Sequence, residues 1–320
     1  MALDTQNTGW PSEALPAPRT ATLIVNTRSR RGREWYEKSR DCLQASGIQI
    51  AAAQAITDPT HLADAVREAI ERGARLVVVG GGDGTIRTTA GVLARTNATL
   101  GVLPLGTLND FARNLEIPLD VAGACRIIAE GHVAAINLGL ANDDYFLITA
   151  SLGFSAMIQR ALTPGLKRWF GGFAYLIASL IAWKKLRHFR IGVSDPRYTT
   201  DMIVMQAGII KEHIWMGGLV EVPCVDLASG RCAFYAIPRV PNRQYLQMAR
   251  KVRHGQFFQA PGLCAFMTNE VTLSTEHPQD LVLDGDLCGK SPVHFQIEHE
   301  ALRVCVPTDF ESRTAQIGCS

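Results

Sequence analysis

The run Gly80-Gly81-Gly82-Asp83-Gly84-Thr85 sets backbone amides, one carboxylate and one hydroxyl where almost no side chain intervenes. Glycines without a Cβ let the chain turn tightly and let a ligand approach the backbone, and successive peptide N–H groups can then point at an anion. Asp83 would repel a phosphate standing alone, so the pattern calls for a divalent cation as companion, or for a hydroxyl that must lose its proton. A second run, Gly106-Thr107-Leu108-Asn109-Asp110, repeats this logic with short polar side chains at the start of a helix, where unpaired N–H groups and the helix dipole attract anions. A third, Asp284-Gly285-Asp286, puts two carboxylates on a turn. Phosphoryl transfer to an alcohol needs a carboxylate to take the hydroxyl proton, and such a pair could also share a metal's outer shell.

These residues need elements to position them. Residues 76–79 are four β-prone residues that read as a buried parallel strand running into the first glycine loop, and residues 100–105 form a strand running into the second. Strands are also expected at 20–26 and 48–56, with helices near 34–46, 58–71 and 85–94. Alternating strands and helices with short links imply a doubly wound, mostly parallel sheet covered by helices. Its ligand crevice lies beyond the strand ends, where the two glycine loops converge. From about residue 136 the pattern becomes a series of short strands separated by turn residues, so a second, mostly antiparallel β domain follows.

The whole chain sets limits on partners and compartment. At 320 residues it can bury two cores, and a net charge of +2 gives no global drive toward nucleic acid. The eight cysteines are scattered, with no CxxC pair and no Cys/His ligand spacing, as in a reduced cytoplasmic protein. Residues 1–18 hold Asp4, Glu13 and three prolines, which reads as a disordered lead and not as a signal peptide. The longest apolar run, 169–183, is shorter than the roughly 20 residues a spanning helix needs. It belongs to a helix expected over 166–185 that ends in Lys184, Lys185, Arg187, His188 and Arg190. Such a helix either rests on an anionic membrane or is a core helix whose cations favour its C-terminus.

The pair GGDGT and PLGTLNDFAR, at 81–85 and 104–113, resembles the catalytic domain of the diacylglycerol kinase family of lipid kinases, which includes sphingosine and ceramide kinases. GGDGT alone is shared with NAD kinases and phosphofructokinases. The resemblance runs over about residues 20–310. It implies an α/β nucleotide-binding domain at 19–135, joined by a returning strand within 302–320, and a β-sandwich lipid domain at 136–301, with the active site in a cleft between them. It also implies ATP and Mg²⁺ as cofactors and a lipid with a free hydroxyl as partner. The apolar helix with its cationic end allows contact with the inner membrane face, and exposed sandwich edges allow a homodimer.

Carried over position by position, the resemblance assigns Asn26, Thr57, Gly81, Gly82, Asp83, Gly84, Thr85, Gly106, Thr107, Asn109 and Asp110 to the nucleotide, with Asp83 helping to place Mg²⁺. Asp286, assisted by Asp284, takes the proton of the lipid hydroxyl. The sequence departs from the family at several points. Thr27 replaces the proline of an Asn-Pro turn, while Arg28, Arg30 and Arg31 beside it could face phosphates or simply be solvated. Thr57 either touches the nucleotide or caps the next helix. Arg87 and Thr88 replace an Asn and a Glu, and Asp286 replaces a Glu, which shortens its reach by about 1.5 Å. The family's structural Mg²⁺ loop aligns with 222–230, where Ser229 stands for the key Asp, so that site is expected to be degenerate with Asp226 as its nearby anion. Thr268-Asn269-Glu270 is similar to an Asn-Glu element of NAD kinases but leads into the wrong β-run. The leading function is diacylglycerol phosphorylation. The alternatives are a sphingosine or ceramide kinase, an NAD kinase-like enzyme, and a non-catalytic nucleotide- or lipid-binding regulator.

Overall fold

The computed structural model describes residues 12–14, 19–29, 32–130, 132–163, 165–166, 169, 174–214, 222, 230–308 and 310. These fall into two compact units. One takes the chain up to Asn137, Gly230 and the residues from His299 on, and the other takes Leu138 to Val222 and Arg231 to Glu298.

In the first unit, β1 (Ser12–Ala14), β2 (Arg19–Asn26), β3 (Ile48–Ile56), β4 (Leu76–Gly81) and β5 (Thr99–Pro104) precede β6 (His132–Ala141). The parallel order is β5-β4-β2-β3. The end of β16 (Val293–Cys305) adds a further parallel partner to β5, Arg303 opposite Thr99. Strands β4 and β5 are buried at every position, as expected for apolar strands covered on both faces. Helix α1 (Gly32–Ala45) packs on α5 (Val121–Glu130), and α2 (Leu62–Glu71) packs on α3 (Asp83–Leu93). Within the expected unstructured lead, Ser12–Ala14 forms a short strand antiparallel to the start of β6.

Two helix boundaries differ from expectation. Pro59 starts a separate 3-10 turn, Pro59–His61, before α2, and Asp58 caps it by accepting from the Thr60 N–H at 3.1 Å. The cap is therefore Asp58, and Thr57 is an exposed residue just before it. Helix α3 begins at Asp83, inside the first glycine loop, because Gly82 serves as its N-cap.

The second unit is antiparallel. Strands β7 (Asp144–Phe146), β8 (Thr149–Gly153), β9 (Phe189–Asp195), β10 (Tyr198–Ile210), β11 (Cys232–Pro238), β12 (Cys264–Thr268), β13 (Glu270–Thr275), β14 (Asp280–Leu283), β15 (Asp286–Lys290) and the first half of β16 build it. The order is β15-β14-β8-β10-β9-β13-β16, with β11 on β10 and β12 on β11. The long strand β10 pairs with β9 over Tyr198–Val204 and lies between β8 and β11 over its second half. The alternate side chains Phe146, Leu152, Val193, Ile209, Phe234, Leu273 and Phe295 fill its core, the period-two burial that a strand imposes. Among the described residues, α6 (Phe154–Ala161), α7 (Ala174–Lys184) and α8 (Asn242–Arg253) are helices of this unit. Among the described residues no helix is long and apolar enough to cross a membrane.

Candidate functional site

The two glycine loops meet backbone to backbone. A Cβ built on Gly106 would stand 2.4 Å from the Gly82 Cα, and one built on Gly82 would stand 3.2 Å from the Gly106 Cα. Neither neighbour has a side chain that could swing aside, so Gly106 requires glycine for space, while a Cβ at Gly82 would be tight but would need only a small shift of the facing loop. The Leu105 N–H donates to the Gly81 carbonyl at 2.9 Å, which extends the β4–β5 ladder to the lip of the loops. A Cβ on Gly81 would lie 2.5 Å from the Thr85 side chain.

Asp83 ties the loops together. Its Oδ2 accepts from the Asn109 N–H at 2.9 Å and its Oδ1 from the Phe111 N–H at 3.2 Å. The amides at the start of α4 (Asp110–Asn114) are thus taken by a carboxylate of the other loop. Sequence reasoning offers that helix start to a phosphate, but α4 is five residues long and the Asn109 and Phe111 amides at its start are already bonded. The longer α3 is different: its N-cap is Gly82, which has no side chain to fill the first turn, the local pattern of an anion-accepting helix start.

The second loop is shaped by Asn109, whose φ is +54°. Asparagine tolerates the left-handed region because its side chain bonds locally. Here its Oδ1 accepts from the Gly106 N–H at 2.8 Å, and its Nδ2 donates to the Gly106 and Pro104 carbonyls. Asp110 is buried, and its Oδ1 has no hydrogen-bond partner. Burial pushes its carboxyl up to about 7, with the charge of Asp83 adding to the rise and Arg113 opposing it. Burial also raises Asp83, against the lowering effect of the Phe111 and Asn109 amides.

Around this centre, Asn26 Nδ2 donates to Thr85 Oγ1 at 2.9 Å, so two residues assigned to the nucleotide are bonded to each other. Thr107 and Thr57 are exposed at loop positions, and Gly84 is half-buried in the first turn of α3. Thr88, where the family has a glutamate, donates to the Gly84 carbonyl at 3.0 Å and so turns back onto its own helix. Arg28 is exposed. Arg30, Arg31, Asp226 and Ser229 lie outside the described residues.

In the second unit, Asp284 and Gly285 are the two central residues of the β14–β15 hairpin, with φ of +47° and +89°. Two positive φ values in a two-residue loop are what a type I′ turn requires, and Asp-Gly is among its preferred pairs. The Asp284 carboxylate accepts three consecutive backbone amides: Leu147 N–H on Oδ2 at 2.7 Å, and Ile148 and Thr149 N–H on Oδ1 at 2.8 and 2.9 Å. Its own N–H returns to the Thr149 carbonyl at 2.9 Å. Successive amides of this kind form an anion-binding concavity, and Asp284 fills it from within the chain. These bonds tie the hairpin to residues 147–149. Asp286, the first residue of β15, is exposed. Gln159 of α6 approaches the turn, its Nε2 3.7 Å from where a Cβ on Gly285 would sit.

One feature behind the hairpin escaped the sequence reading. Lys211 and Glu212 are both buried and form an ion pair, and both of their N–H groups donate to the Ile148 carbonyl, at 2.8 and 3.3 Å. Adjacent opposite charges at the end of the apolar strand β10 were the available signal. The Asn-Glu element at 269–270 lies at the β12–β13 turn, where Thr268 Oγ1 bonds Asp195 Oδ2 at 2.7 Å and also the Glu270 carbonyl. It is a structural turn.

A parallel α/β unit whose glycine loops close on each other is followed by an antiparallel β unit that carries a clamped Asp-Gly-Asp hairpin. The profile for the diacylglycerol kinase catalytic domain matches residues 20–141, and that for the YegS C-terminal NAD kinase beta sandwich-like domain matches residues 149–306. A protein of Pseudomonas syringae named "Probable lipid kinase YegS-like" is 30% identical over 248 residues, 76% of this chain and 80% of that one. A diacylglycerol kinase of Staphylococcus haemolyticus is 24% identical over 300 residues, 91% of this chain and 89% of that one. The crystal structure of a diacylglycerol kinase from Bacillus anthracis shares the fold at a TM-score of 0.67 and 16% identity, covering 92% of this chain and 98% of that one. The chain belongs to the diacylglycerol kinase/YegS family of lipid kinases.

Proposed function

We propose that this protein transfers the γ-phosphate of ATP to the free hydroxyl of a diacylglycerol-like lipid, acting as a peripheral protein at the cytoplasmic face of a membrane. The observation that carries the reading is the contact between Gly82 and Gly106. It brings the two strand-end loops together with no Cβ between them, the close backbone approach that a polyphosphate site uses.

In this reading the first turn of α3 holds the phosphates through its amides, while Asn26 and Thr85 fix the wall beside them. Thr57 and Thr107, both exposed, are free to touch the nucleotide. The buried Asp110 Oδ1 with no partner, next to the charge of Asp83, fits a divalent cation. Asp110 would hold it, with Asp83 contributing charge while its oxygens keep the second loop in place. Mg²⁺ bound there would supply charge neutralisation at the phosphate oxygens. Asp286 accepts the proton of the lipid hydroxyl, and Asp284 with its three amides keeps the base at a fixed height above β8.

Incubation with labelled ATP, Mg²⁺ and a total lipid extract tests this directly. Label is expected in phosphatidic acid. Label in a sphingoid base or ceramide product would change the acceptor, label on NAD alone would change the substrate class, and ATP binding with no transfer to any alcohol would refute catalysis.

A further inference from the structure

Ionised side chains are expensive to bury, and the second unit buries two that are neighbours in the chain. Lys211 and Glu212, directly after β10, each have a side chain only 3% exposed and are paired with one another. Replacing a buried ion pair by uncharged residues of similar size is often neutral or stabilising. Fold stability alone is therefore a poor reason for the pair, and its surroundings supply a better one.

Residues 147–149 run between the end of β10 and the β14–β15 hairpin, and their backbone is shared between the two. On the hairpin side the Leu147, Ile148 and Thr149 N–H groups donate to the Asp284 carboxylate, and the Thr149 carbonyl accepts from the Asp284 N–H. On the β10 side the Ile148 carbonyl accepts from the Lys211 N–H at 2.8 Å and from the Glu212 N–H at 3.3 Å, and Thr149 Oγ1 donates to the Ile209 carbonyl at 3.0 Å. The Ile148 carbonyl and the Thr149 N–H belong to one planar peptide unit. One edge of that plane is held by the Lys211 and Glu212 amides, and the other edge grips Asp284 Oδ1 at 2.9 Å. With Leu147 and Ile148 buried, the plane cannot turn without disturbing packed side chains. Hydrogen bonds in such a series also polarise one another.

We infer that the Lys211–Glu212 ion pair is a positioning element for phosphoryl transfer. It fixes the backbone of residues 211–212, which sets the peptide plane between Ile148 and Thr149, and that plane sets the Asp284 turn and thereby Asp286 two residues on. This role rests on the reading of Asp286 as the acceptor of the lipid hydroxyl proton. Two charges buried side by side offset their desolvation only in a narrow range of geometries, and that restricts the main chain that carries them. Lys211 and Glu212 act through this backbone and not by touching the acceptor. A displacement of about 1 Å caused far from the chemistry can cost about 10²-fold in rate, which is the scale on which a remote pair matters.

The test uses the full chain and the paired variant Lys211→Met with Glu212→Gln, which removes both charges and nearly keeps both shapes. Its thermal melt should stay close to that of the wild type. Two measurements then separate positioning from packing. Amide hydrogen exchange at Leu147, Ile148 and Thr149 should quicken by about 10-fold or more. In phosphorylation of a short-chain diacylglycerol, kcat should fall by about 10²-fold with KM for ATP unchanged. That loss should vanish in an Asp286→Asn background, because a pair that acts through Asp286 has nothing to position once the carboxylate is gone. Should the paired variant fail to fold, Thr149→Val removes the neighbouring bond to the Ile209 carbonyl and leaves the ion pair whole; it should lower kcat by about 5-fold with the same dependence on Asp286. Exchange at the wild-type rate in a folded variant, a wild-type kcat, or a loss that multiplies in full with that of Asp286→Asn would each overturn the positioning role. A wild-type protein that transfers no phosphate to any lipid, while the paired variant still quickens exchange at 147–149, would instead count against the kinase reading and leave the fixing of the hairpin in place.

Discussion

Substituting Asp110 by asparagine tests whether the glycine-loop centre stores electrostatic strain for a cation. The Asp110 carboxyl ordinarily titrates at 3.8 and is pushed up to about 7 in the folded chain, by burial first and by the charge of Asp83 second. Between these values the folded state holds a proton that the unfolded state has released. Stability therefore falls as pH rises through that window, and the whole penalty is present above the folded value. With about 1.4 kcal/mol per pH unit, the penalty is about 1.7 kcal/mol at pH 5 and about 4 kcal/mol at pH 8, a difference of about 2.5 kcal/mol. Asparagine keeps the shape and does not titrate, so Asp110→Asn should gain about 2.5 kcal/mol relative to wild type on going from pH 5 to pH 8. Asp83, also raised by burial, titrates in both proteins and largely cancels. The assay is urea unfolding of both proteins at the two pH values, without nucleotide or divalent cation, compared as a double difference. A stability difference that does not change with pH would refute the buried-charge argument, and so would a variant that loses stability at pH 8.

Three further outcomes follow from the same geometry. Gly106→Ala places a Cβ 2.4 Å from the Gly82 Cα, so it should weaken ATP binding at least about 10-fold and cost about 1–3 kcal/mol of stability, read by calorimetry and denaturant unfolding. Asp284→Ala leaves the Leu147, Ile148 and Thr149 amides without their acceptor and should cost about 2–5 kcal/mol in unfolding measurements; a melting temperature equal to wild type would show that the clamp is not structural. Asp286→Asn, at an exposed position, should leave the melt unchanged and lower kcat by about 10²–10⁴-fold, whereas Asp286→Glu retains activity.

The local pattern of residues was enough to place strands β2 to β5: β4 and β5, buried at every position, are largely apolar runs, the edge strand β3 is a β-prone run that is only partly buried, and each strand ends in a glycine or a short polar turn. It also located all three candidate loops, since tight backbone approach leaves glycine no substitute and Asp-Gly reads as a hairpin turn at any place in a chain. What each carboxylate does was not legible. Asp83 and Asp284 look like catalytic acids in one dimension, yet each spends its oxygens on backbone amides that lie 26 to 28 and 135 to 137 residues away. Among the described candidate carboxylates, Asp110 keeps a buried oxygen lacking a partner, and Asp286 takes an exposed position. The orientation of α7 was likewise closed to sequence reasoning. A helix apolar on nearly every side has no amphipathic face to predict which side turns inward, and packing alone selected the alanine stripe for burial and left the leucines outside. Residue type is a local property, while the partner of a carboxylate and the buried face of a uniformly apolar helix depend on segments distant in the chain, so they are decided only when those segments come together.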